Sequence, residues 1–205
     1  MTKRMTGPER REQLLGVARS VFAEKGFEAA TIEEIAERAK VTKPVVYQHF
    51  GGKEGIYAVV VDREVTELTR RLASAFEADS MRGVAETAAA EFLGYIDERE
   101  EGFRIIVRDR APGVDTGTFG GVISDVAQRT ERLLRDEFKK RDVSAKAAPL
   151  YARMLVGAVA LIGEWWVEER KPSREVVAAH VVNLLWNGLK DLEAEPQPIQ
   201  RLRAV

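Results

Sequence analysis

The chain of 205 residues contains no cysteine and only two histidines. Without cysteine it has neither a disulfide framework nor thiolate chemistry, which agrees with a reducing cytosol. A zinc site and the common catalytic constellations lack the residues that they require. The G-x-S-x-G, P-loop and H-E-x-x-H motifs are absent as well. The sequence therefore predicts that the protein is not an enzyme and that it needs no metal and no other cofactor.

The chain also lacks a net charge that would indicate its partner, because 32 basic and 33 acidic residues give a formal charge of −1. Residues 1–54 carry 10 basic and 8 acidic side chains, whereas the remainder carries 22 and 25. The sign of this difference agrees with nucleic-acid binding near the N-terminus, but the difference is small.

Long apolar runs are missing too. The N-terminal sequence MTKRMTGPERREQ has no apolar core of the kind that a secretory signal needs. The most apolar run, residues 154–167, contains Glu164 and is shorter than the ~20 residues of a membrane span. We therefore expect a soluble, cytoplasmic protein without a membrane segment.

Residues 31–50, TIEEIAERAKVTKPVVYQHF, are the segment around which the chain is organised. Thr31 followed by Glu34 forms a capping-box pattern, which predicts that a helix begins at Thr31. Ile32 and Ile35 then lie on one face of that helix and predict that it packs against a neighbour.

A second short helix is predicted to follow, with Thr42 as its N-cap and Pro44 in its first turn, where a missing N–H costs little. The turn before it contains Lys40. The residues that this helix leaves for its outer surface are Lys43, Pro44, Tyr47, Gln48 and His49. A helix of this size fits the major groove of DNA, where its first residues contact base edges.

The flanking helices are predicted to support this pair. A first helix over residues 9–25 ends at Gly26, in a position suited to a left-handed residue, with Phe27 folding back onto Phe22. After Gly51 and Gly52, a long helix from Lys53 to about residue 76 begins. Its N-terminus and the Lys53 charge form a potential phosphate clamp.

A family resemblance rests on these residues. The matching positions are Phe22, Gly26-Phe27, Thr31-Ile32, Ile35-Ala36, Ala39, Val41-Thr42, Val46-Tyr47, His49-Phe50 and Lys53-Glu54. This pattern, which covers about the first quarter of the chain, resembles the N-terminal domain of the TetR family of transcriptional regulators. Many members have glycine where this chain has Lys40, so a left-handed turn would cost roughly 1 kcal/mol here.

The resemblance implies a helix-turn-helix protein that binds a double-stranded DNA operator, with repression relieved by a small molecule. The candidate DNA-binding residues are Thr31, Thr42, Lys43, Pro44, Tyr47, Gln48, His49 and Lys53. Among these, Lys43 and Gln48 have the donors and acceptors that bases require. Tyr47 and His49 would donate to phosphates, as the resemblance implies. The alternative for Tyr47 is a core aromatic residue with an exposed hydroxyl.

The rest of the chain predicts a helical bundle, with helices over residues 81–95, 102–110, 122–141, 144–170 and 173–192. Residues 111–121, with Pro112 and several glycines, are predicted to form a loop. Apolar residues cover more of the last two helices than one packed face needs, and Gly157, Gly163 and Gly188 would allow close helix approach. We therefore expect a homodimer formed by a four-helix bundle.

Aromatic residues in this bundle are candidates for an effector pocket. They are Phe92, Phe103, Phe119, Tyr151, Trp165 and Trp166. They favour a small hydrophobic effector such as a lipid, an acyl thioester or a drug-like compound. The alternative is that they fill a solid core or the dimer interface. His180 on an apolar face is more typical of a hydrogen-bonded core residue than of a ligand contact.

The sequence thus predicts an all-α protein. Residues 1–54 form a three-helix helix-turn-helix DNA-binding domain, residues 55–195 form a helical bundle for effector binding and dimerisation, and residues 196–205 form a disordered tail. The predicted function is a ligand-responsive transcriptional repressor. The alternative is a helical protein-interaction module that does not bind DNA.

Overall fold

The computed structural model describes residues 5–108, 119–194 and 196, and within them it contains α-helices and one short 3₁₀ helix but no strand. The helices are α1 (Gly7–Ala29), α2 (Ile32–Arg38), α3 (Lys43–Phe50), α4 (Lys53–Ala75), α5 (Met81–Glu98), α6 (Glu100–Arg108), α7 (Phe119–Lys140), the 3₁₀ helix (Ala145–Ala147), α8 (Ala148–Glu169) and α9 (Arg174–Lys190). The all-α prediction is therefore confirmed.

Contacts divide the chain into two compact units that are not consecutive in sequence. Unit 1 contains Met1–Ala73 and Phe92–Val122, and unit 2 contains Ser74–Glu91 and Ile123–Val205. Unit 1 therefore joins α1 to α3 and most of α4 with the end of α5 and all of α6. The linear division at residue 54 remains a prediction.

Helix α1 begins earlier than predicted because Thr6 caps it. The Thr6 hydroxyl accepts a hydrogen bond from the Glu9 N–H, and the Glu9 carboxylate accepts one from the Thr6 N–H, which completes a capping box. Near its end the helix is kinked at Gly26, where φ is 77° and ψ is 173°. The rings of Phe22 and Phe27, on either side of the kink, lie 6.3 Å apart, as the sequence predicts.

The core of unit 1 beside α2 and α3 is aromatic. Tyr57 of α4 is almost fully buried, and its ring contacts Phe22 and Phe27 with centroid separations of 5.0 and 4.8 Å. Because edge-to-face aromatic pairs contribute beyond the area that they bury, these three rings hold α4 firmly against both sides of the kink in α1.

A buried carboxylate, Glu64 of α4, joins four helices of unit 1. Its residue is only 2% exposed, and its oxygens accept hydrogen bonds from the Tyr95 hydroxyl at 3.0 Å and from Arg99 at 2.6 and 2.9 Å. Arg19 of α1 approaches it at 3.8 Å and also donates to Glu101 of α6 at 3.1 Å. A buried charge is tolerated only when it is paired and hydrogen-bonded, so these partners fix the positions of α1, α5 and α6 around α4.

The same cluster raises the pKa values of Tyr95 and Arg99. Burial is the largest cause, and the Glu64 charge the second, of a Tyr95 pKa that lies far above its usual range. The hydrogen bond to Glu64 raises the pKa of Arg99. The Tyr95 hydroxyl therefore stays protonated as a hydrogen-bond donor at any physiological pH.

Unit 2 packs around a small core of its own. Buried residues from α7, the following loop and α8 form this core: Leu134, Phe138, Val143, Ala148 and Ala152. The Tyr151 ring packs edge-to-face on Phe138 at 5.5 Å. These contacts fix the C-terminal half of α7 on the N-terminal half of α8.

Much of the apolar surface of α8 and α9 is exposed. The large hydrophobic residues on it are Leu150, Met154, Leu161, Trp165, Val176 and Leu184. Residues Ala145–Glu169 are long and apolar enough to cross a bilayer by length and composition, and only 17% of the most apolar window is buried. The same composition is found in helices of soluble proteins that pack against a protein partner.

Several predicted boundaries shift. Helix α6 begins at Glu100 rather than residue 102, since its first turn carries Glu100 and Glu101 and the Phe103 N–H donates to the Arg99 carbonyl at 3.0 Å. Helix α7 begins at Phe119, so the last three residues of the predicted loop are helical. The rest of that loop, residues 111–118, and the predicted tail apart from Pro196 lie outside the described residues.

Candidate nucleic-acid interface

The helix-turn-helix unit begins with α2, whose N-cap is Thr31 as predicted. The Thr31 hydroxyl accepts a hydrogen bond from the Glu34 N–H at 3.2 Å. The Glu34 carboxylate, which the capping box would direct back to Thr31, instead accepts hydrogen bonds from Lys25 at 2.8 Å and Arg38 at 2.7 Å. Of the two hydrogen bonds of the capping box, the one from the Glu34 N–H to Thr31 is present. Ion pairs with Lys25 and Arg38 replace the one that the Glu34 carboxylate would accept.

The turn between α2 and α3 is a Schellman motif. The Lys40 N–H donates to the Glu37 carbonyl at 3.0 Å, and the Val41 N–H donates to the Ala36 carbonyl at 2.9 Å. Lys40 occupies the left-handed position with φ of 54°. A residue with a β-carbon costs about 1 kcal/mol there relative to glycine, so the chain has the turn that the family resemblance implies but builds it from a strained lysine.

Helix α3 separates a buried side from an exposed one. Val46 is fully buried, whereas Tyr47 is 53% exposed. The exposed residues at the beginning and middle of the helix are Thr42, Lys43, Pro44, Tyr47 and Gln48, and His49 is half-buried. Thr42 is the N-cap residue, but its side chain forms no capping hydrogen bond, contrary to the prediction. The Thr42 hydroxyl is thus not used within the helix.

Two residues of α1 hold this pair of helices in place. Arg11 donates to the His49 carbonyl at 2.8 Å, and its guanidinium lies 4.3 Å from the centre of the Phe50 ring. Gln13 donates to the Ala39 carbonyl at 3.2 Å. Neither residue has a signal in the sequence, since each contact joins positions that are distant along the chain.

Lys53 occupies a different environment from the predicted phosphate clamp. Its ammonium donates to the carbonyls of Phe27, Glu28 and Ala30 at 2.9, 3.2 and 3.2 Å. It also lies 4.4 Å from the centre of the Phe27 ring. An ammonium has three N–H donors, and in this structure the end of α1 uses them. A phosphate contact would have to replace one of these bonds.

Glu33 of α2 lies next to Lys43, the first residue of α3. The Lys43 ammonium forms an ion pair with Glu33, and both side chains are more than half exposed. The Lys43 hydrogen bond lowers the pKa of Glu33 below its usual value, so Glu33 is ionised at neutral pH. An exposed ion pair of this kind is weak, and Lys43 is therefore available to a stronger anion or to a guanine edge.

The junction between α3 and α4 depends on three glycines. Gly51 is the left-handed C-cap of α3 with φ of 76°, and its N–H donates to the Tyr47 carbonyl at 2.8 Å. Gly52 follows with φ of 147°. A β-carbon on Gly55 would lie 1.9 Å from the Phe50 carbonyl oxygen. Gly51 and Gly52 form the predicted turn, whereas the role of Gly55 was not predicted. The absence of a side chain at Gly55 allows the start of α4 to pass close to the end of α3.

The predicted effector-pocket residues do not form one group. Phe92, Phe103 and Phe119 lie together in unit 1, with ring centroids 5.5 to 6.3 Å apart. The other three lie in unit 2. Tyr151 packs on Phe138, and Trp166 is buried with its indole N–H donating to the Pro172 carbonyl at 2.8 Å. Trp165 is nearly half exposed and lines an apolar groove of about 290 Å³ between α8 and α9.

Two family models match the chain. Residues 14–60 match the model described as "Bacterial regulatory proteins, tetR family", and residues 81–188 match the one described as "Tetracyclin repressor-like, C-terminal domain". The first match spans the complete helix-turn-helix unit, and the second alone covers more than half of the chain.

Individual proteins agree with these models. The chain is 33% identical over 194 residues to the HTH-type transcriptional activator FasR of Mycolicibacterium smegmatis, covering 91% of the chain and 85% of that protein. It is 40% identical over 82 residues to the HTH-type transcriptional repressor Rv3405c of Mycobacterium tuberculosis, covering 38% of the chain and 44% of that protein. Its fold matches a TetR-like transcriptional regulator from Rhodococcus sp. RHA1 with a TM-score of 0.73 and 24% identity, covering 92% of the chain and 100% of that protein.

Three findings point to one family. The chain has an exposed helix-turn-helix surface, two family models together span most of its length, and one relative is aligned over 91% of it. The chain belongs to the TetR family of DNA-binding transcriptional regulators.

Proposed function

We propose that this chain regulates transcription in the cytoplasm by binding a near-palindromic operator as a homodimer. The observation that carries the proposal is the exposed surface at the N-terminal end of α3. A hydrogen bond from Arg11 of α1 to the His49 carbonyl holds the C-terminal end of α3 in place. Two such helices related by a two-fold axis would enter successive major grooves about 34–36 Å apart. An interaction module without DNA binding is not favoured, since it would have no use for that exposed and braced surface.

Within this surface we assign two kinds of contact. Lys43 donates to guanine and Gln48 pairs with adenine in the major groove. Tyr47, His49 and the two cap residues Thr31 and Thr42 donate to phosphates. Pro44 fits among them because the first turn of a helix needs no N–H there. For Lys53 we propose an indirect role, in which its bonds to three carbonyls fix α1 against α4.

The assignment is tested by measuring operator affinity on the DNA upstream of the chain's own gene and on a random duplex. Tyr47→Phe should weaken binding to both duplexes about tenfold, because it removes a hydrogen bond to a charged group. Lys43→Ala and Gln48→Ala should each change the preference between bases by about 1–3 kcal/mol. Equal losses on both duplexes for all three variants would refute this division of roles, and a wild-type chain that binds neither duplex would refute the function itself.

The surface proposed for dimerisation is a stripe on α8. Leu150, Met154, Leu161 and Trp165 are separated by four or seven positions, which places them on one face of a helix. Gly157 lies on the same face, and a β-carbon added to it would meet nothing within 4 Å. The groove beside the stripe is lined by apolar residues of α8 and α9. Such an exposed apolar area indicates a partner surface, and a second copy of α8 and α9 completes a four-helix bundle. Gly163 is buried and faces the core instead.

Sedimentation at micromolar concentration tests the dimer. Leu161, 67% exposed, and Leu184, 71% exposed, are the most exposed large residues of this surface. Leu161→Lys and Leu184→Lys should each convert the dimer into monomers, since a charge would have to be buried in the interface. Met5→Lys is the matched control, because Met5 is also an exposed apolar residue but precedes α1. A wild-type monomer would contradict the two-fold model.

We further propose that a small apolar effector acts on unit 1. The cluster of Phe92, Phe103 and Phe119 supports this choice, because these buried rings pack α5, α6 and the start of α7 together and an apolar ligand could be inserted among them. Helix α6 also contacts α1, because Arg19 and Ser20 of α1 donate hydrogen bonds to the Glu101 carboxylate of α6. An effector that separates these rings would displace α6 and tilt α4, which leads directly to α3. It shifts the equilibrium only if it binds the two conformations with different affinity, so a lipid, acyl thioester or drug-like ligand should alter operator affinity in the same assay.

The direction of regulation is the remaining part of the proposal. The family resemblance favours repression that the effector relieves. Activation is the second candidate, because the relative aligned over 91% of the chain carries the name of a transcriptional activator. A reporter under the chain's own upstream DNA separates the two, since its expression rises on deletion of a repressor and falls on deletion of an activator.

A further inference from the structure

Lys40 has a left-handed backbone conformation, which a glycine could adopt at this position without strain. It is one of three residues other than glycine with positive φ in the part of the chain that the structure describes, and the other two are Asp142 and Arg170. Both hydrogen bonds of the turn involve main-chain atoms only. The lysine side chain thus contributes nothing to the closure of the turn, and strain that a side chain does not repay locally points to a function elsewhere.

The Lys40 side chain also differs from the other cationic side chains around it, because it has no partner among the residues that the structure describes. Within residues 5–54, the remaining cations have partners: Arg10 bonds to Gln13, Arg11 to the His49 carbonyl, Arg19 to Glu101, Lys25 to Glu34, Arg38 to Glu24 and Glu34, Lys43 to Glu33, and Lys53 to three carbonyls. Lys40 is exposed, and among these described residues it is the one cation whose side chain forms neither a hydrogen bond nor an ion pair. Its charge is therefore not compensated within the DNA-binding end of unit 1.

The position of Lys40 suits a contact with DNA. It lies two residues before Thr42, so the Cα atoms of the two residues are at most about 7 Å apart. Thr42 and Lys43 are the first exposed residues of the surface assigned to DNA. A lysine side chain carries a point charge on a flexible four-carbon stem, which allows it to follow a phosphate without demanding a fixed geometry.

We propose that Lys40 anchors the turn to an operator phosphate and adds affinity that does not depend on base sequence. The proposal rests on operator binding as proposed above. A phosphate contact accounts both for the lysine at a strained backbone position and for the lack of a partner for its side chain in the described part of the protein. Each half-site would receive one such contact, so a dimer would make two.

Three substitutions of Lys40 separate its charge from its backbone strain. Lys40→Gly removes both, so its melting temperature should rise by roughly 2–4 °C, while operator affinity should fall roughly ten- to thirtyfold at physiological salt. The slope of log affinity against log salt should become smaller by about 1.8, since two phosphate contacts are lost. Lys40→Ala should show the same loss of affinity without the thermal gain. Lys40→Arg should bind nearly as the wild type does.

Asp142→Gly is the matched control for strain. Asp142 has φ of 56° and lies in unit 2, so this change should raise the melting temperature without altering DNA affinity. Wild-type affinity and salt slope in Lys40→Gly would overturn the inference, and so would an equal loss in Lys40→Arg and Lys40→Ala. A wild-type chain that binds no operator would overturn the proposed function instead, so the two failures are distinguishable.

Discussion

Replacing Glu64 by alanine should lower the free energy of unfolding by about 3 kcal/mol, the lower end of the range for breaking a buried ion pair, because the Arg99 side chain is 31% exposed. The substitution would leave the Arg99 guanidinium without its bidentate acceptor and the buried Tyr95 hydroxyl without a partner. Urea unfolding measures the loss. Asp62→Ala is the matched control, because Asp62 is an exposed carboxylate two residues earlier on α4, and it should change stability by less than about 0.5 kcal/mol.

Gly102 supplies an independent check on this site. A β-carbon at Gly102 would lie 2.2 Å from the Glu64 carboxylate oxygen, so Gly102→Ala should also be destabilising. In the Glu64→Ala background the obstructing carboxylate is gone, and the second substitution should then cost much less. The double-mutant cycle should therefore show strong coupling. Additive losses would mean that Glu64 does not hold α6 against α4 in the way that the structure describes.

The second large effect is expected at the junction of α3 and α4. Gly55→Ala should destabilise the protein by about 3 kcal/mol, at the upper end of the range for overpacking, because its β-carbon would meet a backbone oxygen and not a movable side chain. Relief of that clash would displace α3, so operator affinity should fall as well. Both quantities are measurable on the same preparation, by urea unfolding and by operator titration.

Gly16→Ala provides the matched control for Gly55. Gly16 lies inside α1, and a β-carbon there would meet nothing within 4 Å. The change should stabilise the protein by roughly 0.5–1 kcal/mol, since alanine loses less backbone entropy than glycine in a helix. Equal effects of the two substitutions would show that the close approach at Gly55 is not a constraint.

Local sequence patterns determined the helices and the candidate DNA surface. Thr31 and Gly51 mark helix ends by their own chemistry, and the alternation around Val46 fixes which side of α3 is buried. These features depend on residues a few positions apart, which the sequence places next to one another whatever the fold. The left-handed turn at Lys40 could be anticipated only from the family resemblance, since a lysine does not itself mark such a position.

Only the tertiary structure decided the features that depend on distant partners. It paired the Glu34 carboxylate with Lys25 and Arg38 and placed the Lys53 ammonium on the end of α1. It also surrounded Glu64 with partners from α1, from α5 and from the residue between α5 and α6. A charged side chain in a sequence carries no mark of its partner, because the partner is chosen by how helices pack and by the cost of leaving a buried charge unpaired. The sequence by itself therefore determined where this protein offers a surface to DNA, and the packing of α1, α4 and α6 decided how that surface is held.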